Sequence, residues 1–125
     1  GTNDLTQYAM AADRLQGELA ELLTPWQPAV IQLVKATCDG AGERLIGVCG
    51  EAAGDPLLAL VLVGVGVRSL SMAAGKITAV KATLSRHSLD QCRQIAEAAL
   101  AASSPEEARK AALELADPSV EVLVS

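Results

Sequence analysis

The chain has 125 residues and a net charge of −5, and half of its residues are hydrophobic although only 2% are aromatic. We therefore expect one domain, spanning residues 1–125, with an aliphatic core. The acidic balance argues against binding to nucleic acid or to an anionic membrane surface, because both require clustered positive charge. The longest apolar run, residues 56–63, is too short to span a membrane.

Cysteine use and the first residues indicate where the chain works and how it was produced. Cys38, Cys49 and Cys92 form no spaced pair and His87 is the only histidine, which disfavours a disulfide framework and a zinc site. A reducing cytoplasm is the expected location. Residues 1–4 have no basic segment and no apolar stretch, so we expect no signal peptide. A start without Met indicates an engineered piece, a cleavage product or a trimmed fragment.

Capping residues and apolar residues at helical spacing predict most of the secondary structure. Capping-box patterns begin at Asp4, Ser88 and Ser104, and Asp55 before Pro56 favours a further helix start. A turn is expected at residues 24–28. The predicted helices lie near residues 5–17, 30–41, 56–63, 76–84, 89–99 and 105–115.

The short apolar run at residues 45–49 predicts a buried strand, and residues 67–72 look like a second strand. Predicted helices separate and follow them, so parallel pairing in a βαβ unit is expected. Two parallel strands do not make a stable sheet alone. The predicted fold class is therefore α/β, helix-rich and lacking part of its sheet, and the apolar residues 120–124 have no predicted place.

Two motifs carry a specific resemblance to a known family. The first is GTNDLTQY at residues 1–8, followed by Asp13 and Arg14, and the second is GVCGE at residues 47–51, followed by Gly54, Asp55 and Pro56. With PAVIQLVK between them, they resemble phosphoenolpyruvate-protein phosphotransferases, enzyme I of the bacterial sugar phosphotransferase system. The similarity covers nearly all of the chain and weakens after about residue 100. Pyruvate phosphate dikinase and phosphoenolpyruvate synthase share both motifs, but the short stretch between them resembles enzyme I more closely.

The resemblance implies the C-terminal portion of a TIM-type (β/α) barrel. Such barrels bind their substrates at the C-terminal ends of eight strands, and in this family phosphoenolpyruvate and Mg²⁺ lie there. The resemblance places residues 1–4 at the end of the sixth strand, residues 45–49 in the seventh and residues 70–72 in the eighth. The chain alone is expected to be an incomplete barrel.

The first motif contains the implied ligands of substrate and metal. Asp4 resembles the family's magnesium ligand beside the substrate, although a plain helix cap also fits its spacing to Gln7 and both roles can hold. Asn3 resembles the residue that hydrogen-bonds the substrate phosphate, and the alternative is a common turn asparagine. Arg14 resembles an arginine that grips the oxygens of phosphoenolpyruvate, and the alternative is a solvated arginine at a helix end.

The second motif contains the implied catalytic residue, Cys49. It resembles the acid that delivers a proton to the enolate carbon as pyruvate forms. A free thiol is mostly protonated at neutral pH, as a proton donor must be. The alternative is that Cys49 is a small buried residue of the core, where free cysteines usually lie. Glu51 is expected to support the site and Asp55 to cap a helix.

The resemblance also implies the activity of the complete enzyme. The phosphoryl group of phosphoenolpyruvate passes to a histidine of the enzyme and then to a histidine-containing phosphocarrier protein, and pyruvate is released. The family's phosphohistidine lies in a separate N-terminal domain, so His87 is expected to be an exposed turn residue. Cys38 and Cys92 lie on apolar helix faces and are expected in the core.

An interaction module is the alternative class of function. Family members dimerise through this barrel, and an open half-barrel exposes strand edges and apolar helix faces that invite a second chain. The predicted helix at residues 56–63 is apolar all round and needs cover on every side, which favours a homodimer. A compact monomer in sedimentation would count against this alternative.

We predict that the purified 125-residue chain does not release pyruvate from phosphoenolpyruvate. The resemblance places the phosphohistidine, the other phosphate-binding arginines and the second metal-binding carboxylate upstream of residue 1, so the chain holds only part of a site. A lactate dehydrogenase-coupled assay measures the pyruvate formed. Production above the enzyme-free control would contradict this prediction.

Overall fold

A computed structural model describes residues 24–124, which form six α-helices and two parallel β-strands. In chain order they are α1 (Pro28–Gly40), β1 (Gly47–Cys49), α2 (Pro56–Val65), β2 (Ser69–Ser71), α3 (Ile77–Ser85), α4 (Leu89–Leu100), α5 (Pro105–Leu115) and α6 (Val120–Val124). The predicted helix-rich α/β class is confirmed, and the predicted helix near residues 5–17 lies outside the described residues. None of the described helices has the length and apolar character needed to cross a bilayer.

The two strands pair in parallel as predicted, with Val48 opposite Leu70. They are shorter than predicted, and only Val48 of their residues is fully buried, while Leu45 just before β1 is 80% exposed. The prediction that residues 45–49 form a buried strand is therefore wrong in its burial, whereas Val67, at the start of the second predicted strand, is buried. Between residues 24 and 124 the sheet has two strands, so no further strand covers the apolar residues beside them.

Helix α2 forms the centre of the core. Its residues from Leu57 to Leu62 are buried, and Val65 is buried too. The other five helices all pack against α2, and α4 does so most extensively. Helices of the same chain thus provide the cover that this apolar helix was expected to need, so the helix gives no support to a second chain.

A glycine ends α2. Gly66 has a φ of +120°, and its N–H donates to the carbonyls of Leu62 and Val63, while the N–H of Val67 donates to the carbonyl of Leu62 at 3.0 Å. A Cβ on Gly66 would lie 2.9 Å from the Cβ of Cys38 in α1. The backbone conformation and the packing of α1 thus both require glycine at this position.

Side-chain caps begin α4 and α5. The Gln91 N–H donates to Ser88 Oγ at 3.1 Å and the Ser88 N–H donates to Gln91 Oε1 at 2.7 Å, so the predicted capping box of α4 is confirmed. At α5 only half of the predicted box forms: Ser104 Oγ accepts from the Glu107 N–H at 3.2 Å. The Glu107 carboxylate instead accepts from the hydroxyl and N–H of Ser103, and these bonds lower the pKa of Glu107.

The apolar end of the chain, unplaced from sequence, forms α6, and Val120 is buried. His87 joins the segment before α6 to α3. Its Nδ1 lies 2.7 Å from the carbonyl of Thr83, and its Nε2 accepts from the Asp117 N–H at 3.0 Å. The neutral tautomer with its proton on Nδ1 satisfies both bonds. His87 is half-buried, so the prediction of a merely exposed turn residue is wrong.

Helices α2 and α4 meet at Gly64, which provides a test of this packing. A Cβ on Gly64 would overlap the carbonyl oxygen of Cys92 and lie 2.7 Å from the Cβ of Ala96. Gly64→Ala must therefore push the two helices apart. We expect it to lower the free energy of unfolding by about 1–3 kcal/mol, measured by urea denaturation.

Gly40→Ala is the matched control. Gly40 ends α1, and no atom lies within 4 Å of a Cβ built there. The free energy of unfolding of this variant should therefore be unchanged or slightly higher than that of the wild type. Equal stability of Gly64→Ala and the wild type would show that α2 and α4 can separate without cost, and would contradict their close packing at Gly64.

Candidate active site

A cleft of about 770 Å³ lies at the carboxyl ends of β1 and β2. Gly50 and Glu51 line it just after β1, and Met72 and Ala73 line it just after β2. In parallel α/β structures functional side chains gather at this edge of the sheet, and the volume is typical of small-molecule sites. The cleft is therefore the candidate site in the described part of the chain.

Asp55 anchors the segment that joins β1 to α2. Its Oδ1 accepts from the N–H groups of Leu57 at 3.0 Å and Leu58 at 3.2 Å, which confirms the predicted helix cap. Its Oδ2 accepts from the indole N–H of Trp26 at 3.0 Å. Both carboxylate oxygens are thus engaged. The bond to Trp26 ties the turn before α1 to the start of α2, and no sequence motif indicated it.

A glycine also shapes the β1–α2 connection. Gly50 has a φ of +101°, and its N–H donates to the carbonyl of Ser71 in β2 at 3.2 Å. This bond extends the parallel pairing by one position beyond β1. The chain then turns away from the sheet, so that Glu51 enters the wall of the cleft. A positive φ at this turn favours glycine.

Cys49 is the last residue of β1 and is exposed. The alternative that it is a buried core residue is therefore wrong. Side chains alternate between the two faces of a strand, and Val48 takes the core-facing position. The lining of the cleft begins at the next residue, Gly50, so Cys49 lies beside the cleft in sequence. Its catalytic role stays a prediction.

The other two cysteines differ from Cys49 in burial. Cys92 is buried in the core, as predicted, and Cys38 is half-buried and packs against the core. Burial raises the pKa of both thiols, and at Cys38 the neighbouring Asp39 carboxylate raises it further. Higher pKa values leave less thiolate at neutral pH, so these two cysteines are poor nucleophiles.

The predicted ligands Asn3, Asp4 and Arg14 lie outside the described residues. Among residues 24–124, no three His, Cys, Asp or Glu side chains gather as a metal site requires. Asp55 is engaged by three N–H groups, which leaves Glu51 as the one available carboxylate of the described cleft wall. These residues do not fit a Mg²⁺ site by themselves.

Two cationic residues of the cleft had no signal in the sequence. Lys76 lies in a 3₁₀ turn, Ala74–Lys76, between β2 and α3, and Arg109 lies on α5. The two residues lie far apart in the sequence, and no sequence motif contains both of them. Only the packing of α5 and α6 beside α2 and α3 brings Arg109 to the same cleft as Lys76.

Similarity to known protein families identifies the family to which the chain belongs. Residues 1–89 match the family described as PEP-utilising enzyme, PEP-binding domain. The chain belongs to this family. The matched part of this PEP-binding domain includes β1, α2, β2 and the loops at the carboxyl ends of both strands, whereas α5 and α6 lie beyond it.

Individual relatives carry a narrower name. The phosphoenolpyruvate-protein phosphotransferase of Streptomyces coelicolor is 54% identical over 114 residues, which cover 90% of this chain and 20% of that protein. The multiphosphoryl transfer protein of Xanthomonas campestris is 47% identical over 111 residues, which cover 87% of this chain and 13% of that protein. The phosphoenolpyruvate-protein phosphotransferase of Geobacillus stearothermophilus is 38% identical over 109 residues, which cover 86% of this chain and 19% of that protein. The resemblance to the phosphotransferases is confirmed. The chain spans about a fifth or less of the length of these curated relatives.

The bonds of Asp55 generate a stability prediction. Asp55→Ala removes the cap of α2 and leaves the N–H of the buried Trp26 without its acceptor. We expect the free energy of unfolding to fall by about 2–4 kcal/mol, the sum of a lost cap and an unpaired buried donor. Asp55→Asn keeps one oxygen that can cap α2, so its free energy of unfolding should fall by less. Urea denaturation followed by circular dichroism measures both variants.

Asp39→Ala is the control for removing a carboxylate. Asp39 pairs with Lys35 at 2.6 Å on the exposed surface of α1, where such a pair contributes at most about 0.5 kcal/mol in a helix. If Asp55→Ala cost no more than Asp39→Ala, Asp55 would not anchor the β1–α2 segment.

Proposed function

We propose that this chain is the C-terminal part of the phosphoenolpyruvate-binding barrel of an enzyme I, a phosphoenolpyruvate-protein phosphotransferase. The 54% identity to a protein of that name carries the proposal. The parallel β1–α2–β2 unit, with a cleft at the carboxyl ends of its strands, supports a TIM-type barrel, because such barrels hold their active sites at this end. The missing strands then belong to the upstream part of the complete protein.

The complete enzyme, in this proposal, transfers the phosphoryl group of phosphoenolpyruvate to its own histidine. It passes that group to a histidine-containing phosphocarrier protein for sugar uptake and releases pyruvate. The printed names of the relatives, phosphoenolpyruvate-protein phosphotransferase and multiphosphoryl transfer protein, support this assignment. His87 takes no part, because hydrogen bonds to Thr83 and Asp117 occupy both of its ring nitrogens.

The residues of the first motif bind the substrate in this proposal. Asn3 hydrogen-bonds the phosphate, Arg14 grips the oxygens of phosphoenolpyruvate, and Asp4 binds substrate and Mg²⁺. The family match over residues 1–89 includes all three positions and supports these roles. Mg²⁺ supplies neutralisation of the phosphoryl charge when it is bound.

Cys49 completes the chemistry by protonating the enolate of pyruvate. Its thiol is exposed at the end of β1, the edge of the sheet where the cleft lies, so it is accessible to a substrate there. The S–H bond breaks as a C–H bond forms at the methylene carbon, which becomes the methyl group of pyruvate. The thiolate left behind then takes a proton from water.

The proposed setting of the complete enzyme is a homodimer in the cytoplasm. All three cysteines are free, as a reducing compartment allows. Since α2 is buried within its own chain, a dimer must form through other surfaces of the barrel. The alternative of an inactive dimerisation module loses one of its supports, an uncovered apolar helix.

The complete phosphotransferase containing Cys49→Ala tests this function. With phosphoenolpyruvate, Mg²⁺ and phosphocarrier protein, the wild type should form pyruvate, and the variant should form it about 10²–10⁴-fold more slowly, the usual contribution of a general acid. Because Cys49 acts on the enolate, the affinity for phosphoenolpyruvate should stay unchanged. Coupled pyruvate assays and substrate-binding measurements separate the two quantities.

Cys38→Ala in the same enzyme is the control, since Cys38 lies on α1 and packs against the core. It should keep the wild-type rate. A complete wild-type protein that forms no pyruvate would contradict the proposed function. A Cys49→Ala enzyme with the wild-type rate would contradict only the role of Cys49.

A further inference from the structure

Trp26 is the only Phe, Tyr or Trp residue among residues 24–124. It is 5% exposed, and its indole N–H donates to Asp55 Oδ2 at 3.0 Å. Filling the core does not require that N–H, since an apolar side chain of similar size buries a comparable area. What the indole adds to packing is a directed bond to Asp55, the last residue of the loop that follows Cys49.

The loop of residues 50–55 is short and is closed by its own backbone. The Gly54 N–H donates to the carbonyl of Glu51 at 3.1 Å, and the Asp55 N–H donates to the carbonyl of Ala52 at 3.4 Å. The side chain of Ala52 is also buried in the core. Two overlapping turns of this kind fix most of the backbone angles of the loop. A displacement at Asp55 is therefore passed on to the other end of the loop.

Different parts of the fold hold the two ends of this loop. At the first end, directly after Cys49, the Gly50 N–H donates to the carbonyl of Ser71 in β2 at 3.2 Å. At the far end, Asp55 is bonded to the first N–H groups of α2 and to Trp26. The bond to Trp26 comes from outside the β1–α2–β2 unit, in the turn before α1. It therefore fixes the loop relative to α1.

The rate of a proton transfer depends steeply on where the donor lies, and a misplacement of about 1 Å can cost about 10²-fold. We infer that Trp26 is a positioning residue for the proton transfer by Cys49. Its bond to Asp55 sets the position of the loop at residues 50–55, and this loop sets the course of the chain at Cys49. The inference rests on the proposed function, because it takes Cys49 as the proton donor.

The test uses the complete phosphotransferase containing Trp26→Phe, which keeps a buried aromatic ring and removes the N–H. Water can replace the indole at the half-buried Asp55, so the variant loosens the loop and still folds. With phosphoenolpyruvate, Mg²⁺ and phosphocarrier protein, it should form pyruvate about tenfold more slowly than the wild type. The affinity for phosphoenolpyruvate should stay within about twofold, because Trp26 acts through a group that reacts with the enolate.

A double variant separates positioning of the thiol from general loss of stability. In the Cys49→Ala enzyme, Trp26→Phe should change the remaining rate by less than about twofold, because no thiol is left to position. Equal slowing by Trp26→Phe in the wild-type and Cys49→Ala enzymes would overturn the inference. Asp55→Asn changes the same bond without removing buried carbon. Its one oxygen must serve both the capping N–H groups and the indole, so it should also slow pyruvate formation.

Ile95→Val on α4 is the matched control, since it also removes carbon from the buried core but leaves the bond to Asp55 intact. It should keep the wild-type rate. Hydrogen exchange of the Gly54 N–H should be faster in Trp26→Phe than in Ile95→Val, because the loosening is local.

The outcomes separate this role from the proposed function. A Trp26→Phe enzyme with the wild-type rate, or an Ile95→Val enzyme that is equally slow, would overturn only the role of Trp26. A wild-type enzyme that forms no pyruvate would contradict the proposed function and the role of Trp26 with it.

Discussion

The burial of α2 is the constraint on which the rest of the described structure depends. A helix without a polar face can be stable in water only if other elements surround it. Five helices surround α2, which runs from the carboxyl end of β1 back to the amino end of β2. The cleft is a product of this arrangement, since its wall combines the strand ends with the helices that cover α2.

The two ends of α2 are stabilised by different means. At the start, the Asp55 carboxylate joins the first N–H groups of the helix to the indole of Trp26, so the loop beside Cys49 is anchored from two directions. At the end, Gly66 turns the chain into β2, and the Arg68 guanidinium donates to the carbonyl of Val67 at 3.1 Å. The start of α2, which Asp55 anchors, is the end that lies near Cys49, the proposed proton donor.

Local signals in the sequence predicted much of this fold. Helix starts at Asp55 and Ser88 and the parallel βαβ order could be predicted, because caps and apolar spacing act over a few residues. Burial of the strands could not be predicted, because it depends on neighbours far along the chain. The bonds of His87 with Asp117 and of Trp26 with Asp55 join residues 30 and 29 positions apart, and no local pattern encodes such pairs.

The contact between Gly64 and Cys92 has a consequence for sequence divergence among related chains. The group of Cys92 that approaches Gly64 belongs to the main chain, so any residue at position 92 presents the same oxygen there. Selection on this contact therefore falls on one partner alone. Position 92 is free to drift among small apolar side chains that fill the same buried space, whereas position 64 has no neutral alternative to glycine, and compensating changes between the two positions should be absent.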